Sequence, residues 1–255
     1  KVCCVVASAG TTALGAIDPL EEISEICREH EIWLHVDAAY GGAALFSEQL
    51  KGRLAGIENA DSVTIDLHKW CYLAFDGSLL LYRDPDIARD LFAINSDYVQ
   101  QPDAATEPGE QQSFIDLSPE VSRRARALPA CLAWRHYGLE VLGRNVEYNA
   151  DCAYYLAQLA DYSPDLEPVT TAPQLSICCL RYKPEGLEAP GAIDDLNERI
   201  VAGLNRTDEF ILSATRVSDR PVIRVCICSH QTRARHIEQL VESVRRIGKA
   251  LLDGD

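Results

Sequence analysis

The sequence predicts an α/β protein, built from a mostly parallel sheet flanked by helices and a smaller α+β unit behind it. Three observations carry that reading. Short apolar runs rich in β-branched residues alternate with helical patterns over the first eighty or so residues, the rhythm of βαβ units. A long polar stretch then interrupts the chain, and beyond it two long helical patterns lead into alternating strands and helices. At 255 residues the chain can bury a sizeable core in one or two domains.

Residues 2–8 (VCCVVAS) read as a strand buried on both faces, followed by the turn-like Ala9-Gly10-Thr11-Thr12. Asp18-Pro19 opens a helix in which Leu20, Ile23, Ile26 and Cys27 recur at helical spacing, with Asp18 as N-cap. Residues 32–36 form a second strand, ending at Asp37 before the small segment Ala38-Ala39-Tyr40-Gly41-Gly42. A third strand, 62–67, runs into His68-Lys69, and a fourth covers 78–82. From 95 to 117 Gln, Pro, Asp, Glu, Gly and Ser dominate, and so long a polar loop in a compact protein is a functional lid or a disordered segment. Helices follow at about 118–138, carrying Arg123, Arg124 and Arg126, and at 142–161. The tail reads as a strand at 175–182, a helix at 191–204, strands at 210–217 and 222–228, and a closing helix at 233–252. The expected division is 1–145, with the lid loop 95–117, and 146–255 as a small α+β domain.

Composition narrows the function. Asp plus Glu outnumber Lys plus Arg by 39 to 24, a net charge of −15, which argues against a nucleic-acid partner. Apolar residues make up 47% and charged ones 25%, and no apolar run reaches the eighteen or so residues that a bilayer requires, so a soluble chain without a membrane partner is expected. The ten cysteines include the vicinal pairs Cys3-Cys4 and Cys178-Cys179 but no C-x-x-C, and read as mostly reduced, buried small hydrophobes of a cytoplasmic protein. A chain without Met that opens at Lys1 straight into an apolar run reads as the later part of a longer polypeptide.

Ligands of open α/β sheets bind beyond the carboxyl ends of parallel strands, where this sequence places Gly10-Thr11-Thr12, Asp37-Ala38-Ala39 and His68-Lys69-Trp70. A lysine directly after a buried strand loses hydration, which frees its amine for Schiff-base chemistry. An aspartate at a neighbouring strand end could keep a pyridinium nitrogen protonated, so both halves of a pyridoxal phosphate (PLP) site are present. Taken singly, Lys69 is equally a surface lysine, Asp37 a helix cap or metal ligand, and His35 a sheet residue. No metal-ligand spacing appears, and the nicotinamide, P-loop and nucleophile-elbow motifs are missing.

Several motifs agree in order and spacing: Ala9-Gly10-Thr11-Thr12 with Gly15-Ala16-Ile17-Asp18-Pro19, then Trp33 to Gly42 (WLHVDAAYGG), Ala60-Asp61-Ser62, and Asp66-Leu67-His68-Lys69-Trp70. On these residues the stretch from Val5 to Asp84 resembles the cofactor-binding core of the group II PLP-dependent decarboxylases, which act on aromatic amino acids, glutamate and cysteine sulfinate. The resemblance continues more weakly to the C-terminus. It implies a type I PLP-dependent transferase fold, with Lys69 anchoring the cofactor, Asp37 on the pyridine nitrogen, Ala39 against the ring, Thr12 near the ring oxygen or carboxyl edge, and His68 at the phosphate. It also implies that Arg224, in Val222-Ile223-Arg224-Val225-Cys226-Ile227, meets the substrate carboxylate, although an exposed charge on an edge strand is the other reading.

By the same resemblance, the reaction is decarboxylation of an L-amino acid, aromatic or similarly neutral, to its amine and CO₂ in a homodimer. The family's proton donor is a loop Tyr contributed across the dimer interface. Counting back from Arg123-Arg124 lands on Phe114, which has no proton to give, leaving Tyr98 as another candidate. Decarboxylation-coupled oxidative deamination to an aldehyde, or another PLP reaction on the same fold, is therefore the alternative. The upstream Ser/Gly-rich phosphate loop and stacking His of the family are not found in this sequence, so an inactive structural half is the third reading.

Overall fold

The computed structural model describes residues 1–92, 117–120 and 122–254. The 95–117 stretch, with Tyr98 and Phe114, lies outside the described residues except for Leu117. The first sheet consists of β1 (Cys4–Ser8), β2 (Trp33–Asp37), β3 (Ser62–Asp66) and β4 (Ser78–Tyr82), in that spatial order. β1 and β3 run parallel to β2, and β4 returns antiparallel to β3. Helix α1 (Leu20–Glu29) makes the first crossover, and three 3₁₀ segments, Gly41–Phe46, Lys51–Leu54 and Ile57–Asn59, make the second. Helix α2 (Pro85–Phe92) follows β4.

Two expectations for this half are corrected. β1 is not buried on both faces: it lies at the edge of the sheet among the described residues, and Val6 is 62% exposed. Asp18 does not cap α1, whose N-cap is Pro19 without a side-chain bond. Its carboxylate instead accepts the Ser8 amide at 2.7 Å, supplying the end of β1 with a partner that an edge strand otherwise lacks.

Helix α3 (Ala127–Tyr137) begins later than the sequence pattern suggests, so Arg123, Arg124 and Arg126 precede it rather than lie on it. The reason is tertiary: Arg126 pairs with Asp76 and Glu120, and Arg124 with Asp76, contacts made from the irregular chain ahead of the helix. Gly138, at φ +83°, separates α3 from α4 (Leu139–Asp161). The second sheet holds β5 (Leu166–Pro168), β6 (Ile177–Tyr182), β7 (Ser213–Val217) and β8 (Arg220–Cys226) in the order β5-β6-β8-β7, every pair antiparallel. Helices α5 (Pro190–Leu204) and α6 (Ala234–Asp253) complete the tail. β5 was not expected, β7 is shorter than the pattern that announces it, and β8 begins and ends two residues earlier than expected.

Each sheet has its own apolar core, and α4 joins them. Its first turns, through Leu142 and Val146, pack with Leu34, Val36, Leu54 and Trp70 of the first core. Its later turns, through Cys152, Leu156 and Ala160, pack with Leu180, Ile200, Ile223 and Leu240 of the second. Gly143 lets α4 approach the 3₁₀ segment after β2, because a Cβ there would lie 2.3 Å from the Phe46 carbonyl oxygen. Of the ten cysteines, all unpaired, Cys3, Cys4 and Cys131 are exposed and Cys226 and Cys228 half-buried, so only half of the set behaves as buried hydrophobes. Among the described residues no helix is long and apolar enough to cross a membrane.

Candidate active site

Register brings the candidate residues to one edge. Ser8 pairs with Asp37, and Asp37 with Thr64, so β1, β2 and β3 end side by side, releasing segments 9–12, 38–42 and 66–70 at their carboxyl ends. Backbone bonds hold these segments in place: the Ala38 amide donates to Thr64 O at 3.0 Å and the Asp66 amide to Ala39 O at 3.0 Å. Two glycines permit the approach. A Cβ on Gly41 would sit 2.0 Å from the Ala9 carbonyl oxygen, and Gly10 adopts φ +110°, a conformation closed to most side chains.

Lys69 lies in the turn after β3, partly exposed, with Nζ 2.8 Å from Asp66 Oδ2. Ser78, opposite Asp66 on β4, donates its hydroxyl to the other carboxylate oxygen. Burial pushes the Asp66 carboxyl up, but the bonds from Lys69 and Ser78 and the Lys69 charge outweigh it and hold the group below its ordinary value. His68 is half-buried, its Nδ1 2.9 Å from the Gly77 carbonyl oxygen and its ring edge-on to Phe75 at 4.7 Å. That leaves Nε2, 4.0 Å from Asp66 Oδ2, as the ring nitrogen without a hydrogen bond among the described residues.

Asp37 is exposed at the end of β2. Its Oδ1 accepts the Ala39 amide at 3.0 Å, and Oδ2 has no hydrogen-bond partner among the described residues. Ala39 follows on the same turn, half-buried. Thr12 is exposed, and its carbonyl accepts Arg224 Nε at 2.7 Å. Arg224 therefore stands on an inner strand, half-buried, rather than as a free charge on an edge strand, and clasps the second sheet to the loop after β1.

Other residues, not singled out by sequence, fix this edge. The Tyr40 ring stacks on Trp70 at 5.1 Å and 12°, and its hydroxyl bonds Ser176 Oγ. Burial raises the Tyr40 phenol well above its usual value. Asn149, fully buried in α4, accepts from Trp70 Nε1 at 3.2 Å and Tyr72 OH at 2.7 Å, and donates to the Ser229 carbonyl at 2.9 Å. The turn that carries Lys69 is thereby pinned to both halves of the chain. The Asp66–Lys69 spacing was a readable signal for one missed partner; Asn149 left none.

Thr12, Asp37, Ala39, His68 and Lys69 thus share one strand-end edge, and Arg224 reaches it from the second sheet. Phe114 lies outside the described residues. The edge offers a primary amine with an adjacent carboxylate, and a second carboxylate with an open oxygen one strand away. Among the described residues no cluster of three or more His, Cys, Asp or Glu could hold a metal.

Comparison with known proteins points the same way. Residues 1–183 match a family described as the pyridoxal-dependent decarboxylase conserved domain. An aromatic-L-amino-acid decarboxylase of Bacillus atrophaeus is 30% identical over 249 residues, 98% of this chain and 51% of that protein. A crystal structure of Oryza sativa TDC with PLP and tryptamine superposes with a TM-score of 0.90 at 25% identity, covering 97% of this chain and 51% of that one. The Rhodiola rosea 4-hydroxyphenylacetaldehyde synthase structure gives 0.84 at 25% identity, over 97% and 50% of the two chains. The chain spans about half the length of the relatives it matches. Its sheet, helices and α+β tail are part of the fold these PLP enzymes share.

Proposed function

The chain belongs to the pyridoxal-dependent decarboxylase family, and from that premise we propose that it carries the lysine-bearing part of an enzyme converting an L-amino acid, aromatic or similarly neutral, to its amine and CO₂. The observation that carries the reading is the placement of Asp37 at the end of β2 and of Lys69 just beyond the end of the adjacent parallel strand β3. The donor set suits the cofactor: an amine for an aldehyde, a carboxylate with an open oxygen for a ring nitrogen, and between them a methyl side chain that leaves a flat surface. Pyridoxal 5′-phosphate, when bound, supplies an aldehyde that condenses with amines and a protonated ring that accepts the electrons freed as the carboxylate leaves.

The side chains divide the remaining work. Lys69 holds the cofactor through its ε-amine, and Asp66 fixes where that nitrogen stands. Asp37 keeps the ring nitrogen protonated, an electrostatic role in a site shaped before substrate arrives. Ala39 packs against the ring face. His68 presents Nε2 to the phosphate, and Thr12 its hydroxyl to the ring substituents. Arg224, anchored through Nε to the Thr12 carbonyl, orients a substrate carboxylate.

An aromatic substrate is supported by the activity for which the Bacillus relative is named and by the tryptamine in the rice structure. The reading includes a cytoplasmic homodimer, a first domain over 1–145 with 95–117 as a lid over the neighbour's site, and a small domain over 146–255. A charge of −15 favours neither nucleic acid nor anionic membrane as a partner. Phe114, standing in the sequence where a proton donor is expected, favours a second reading, an aldehyde product, which is the activity named for the Rhodiola relative. Incubating the full chain with PLP and a panel of L-amino acids, with amine, aldehyde and CO₂ read separately, tests both. CO₂ with amine supports the first reading and CO₂ with aldehyde the second; no CO₂ from any of them contradicts both.

A further inference from the structure

β8 ends at Cys226, and the chain runs on through Ile227 to Cys228. Alternate residues of an extended chain face the same side. Ile227 points into the core of the second sheet, 3% exposed, so the two cysteines turn the other way. Their sulfurs are 3.1 Å apart, already in contact. Both thiols are half-buried, and the charges of Arg224 and Lys69 bear on Cys228, which places the pair beside the strand-end edge.

The sheet also provides a way in. β7 pairs with β8 only as far as Ser213 with Arg224. Beyond that point residues 208–212 stand away from β8, leaving a groove of about 1000 Å³ against α6 that Cys226 and Ile227 line. Cys226 thus lies on an open edge of the strand, where its half-burial leaves it within reach of a small solute.

We propose that Cys226 and Cys228 are an oxidative modification site, a dithiol that hydrogen peroxide or a similarly small hydroperoxide closes to a disulfide. Cys226 is the thiol attacked first. The hydrogen bond with Cys228 lowers its pKa to about 7, and Arg224 supports the thiolate against burial, whereas the pKa of Cys228 is pushed upward by the same contact. The Cys226 thiolate forms an S–O bond as the O–O bond of peroxide breaks, and the departing hydroxide takes a proton to become water. Cys228 sulfur then attacks Cys226 sulfur, the S–S bond forms as the S–O bond breaks, and the Cys228 proton leaves with the hydroxide as a second water. Two thiols lose two electrons and one peroxide gains them.

Trypsin places both cysteines on one peptide, 225–233 (VCICSHQTR), and the exposed Cys131 on another, 127–135 (ALPACLAWR). The full chain is treated with dilute peroxide, denatured, alkylated and digested. The expected result is that peptide 225–233 loses two hydrogens and escapes alkylation, both reversed by dithiothreitol, while Cys131 is still alkylated. Recovery of 225–233 with both thiols alkylated, its conversion to higher oxyacids without loss of two hydrogens, or equal loss at Cys131 overturns the proposal. In Cys228→Ser a dimedone adduct is expected at Cys226, and in Cys226→Ser little or none at Cys228. Equal labelling of the two variants overturns the assignment of Cys226 as the attacked thiol.

Discussion

Lys69 Nζ lies 2.8 Å from Asp66 Oδ2, joining the last residue of β3 to the turn it releases. Because this pair lowers the Asp66 carboxyl in the folded state, Asp66 contributes stability above the usual carboxylate range and loses it as pH falls through the lowered folded value. Asp66→Asn should therefore lower Tm at neutral pH and flatten its decline at acid pH, roughly between pH 5 and 2. With Lys69 45% exposed the contribution is about 1 kcal/mol, or about 3 °C. Thermal unfolding of both proteins across that range checks it; parallel curves would mean that the pair carries no net charge effect.

Asn149 has a structural role that reaches the site. Replacing it with Ala strips the acceptor from Trp70 and Tyr72 and the donor from Ser229, at about 2–5 kcal/mol for the buried groups left unpaired. Urea unfolding should show the midpoint fall, with tryptophan emission of the folded variant shifted to the red. An unchanged midpoint would show that water replaces the amide at no cost.

Asp37→Asn should retain PLP while lowering kcat roughly a hundredfold or more, because an amide does not hold a ring proton as a carboxylate does. Steady-state kinetics alongside cofactor absorbance separates the two effects. Undiminished kcat would mean that the open Oδ2 of Asp37 does not face the ring nitrogen.

Phe114 is tested through products. If it stands at the proton-donor position, the enzyme under air releases aldehyde with ammonia and peroxide, and Phe114→Tyr raises the amine fraction, since a phenol with pKa near 10 can donate a proton there. An all-amine product that Phe114→Tyr leaves unchanged places the donor elsewhere.

The edge on which the site is built was legible in the sequence because β-branched runs announce buried strands, and Asp37, His68 and Lys69 follow such runs directly. What could not be read depends on tertiary contact. Asp18 looked like a helix cap, yet the unpaired end of β1 claims its carboxylate. The pattern from 118 looked helical, yet Arg124 and Arg126 pair with Asp76 and Glu120 from irregular chain ahead of α3. Asn149 sits mid-helix with no pattern of its own, and its importance arises only when the fold sets it against Trp70, 79 residues away. β1 read as doubly buried from its apolar content alone, and composition does not reveal which face a neighbour covers.

The central claim is that Lys69 anchors the cofactor, and one measurement reaches it directly. The PLP-loaded full chain is reduced with borohydride, which fixes the carbon–nitrogen double bond, and digested with trypsin. Modified Lys69 resists cleavage, so the pyridoxyl label is predicted on the peptide from Leu54 to Arg83, with Lys69 uncut inside it. A label on Lys1, Lys51, Lys183 or Lys249, the other four lysines, would contradict the account.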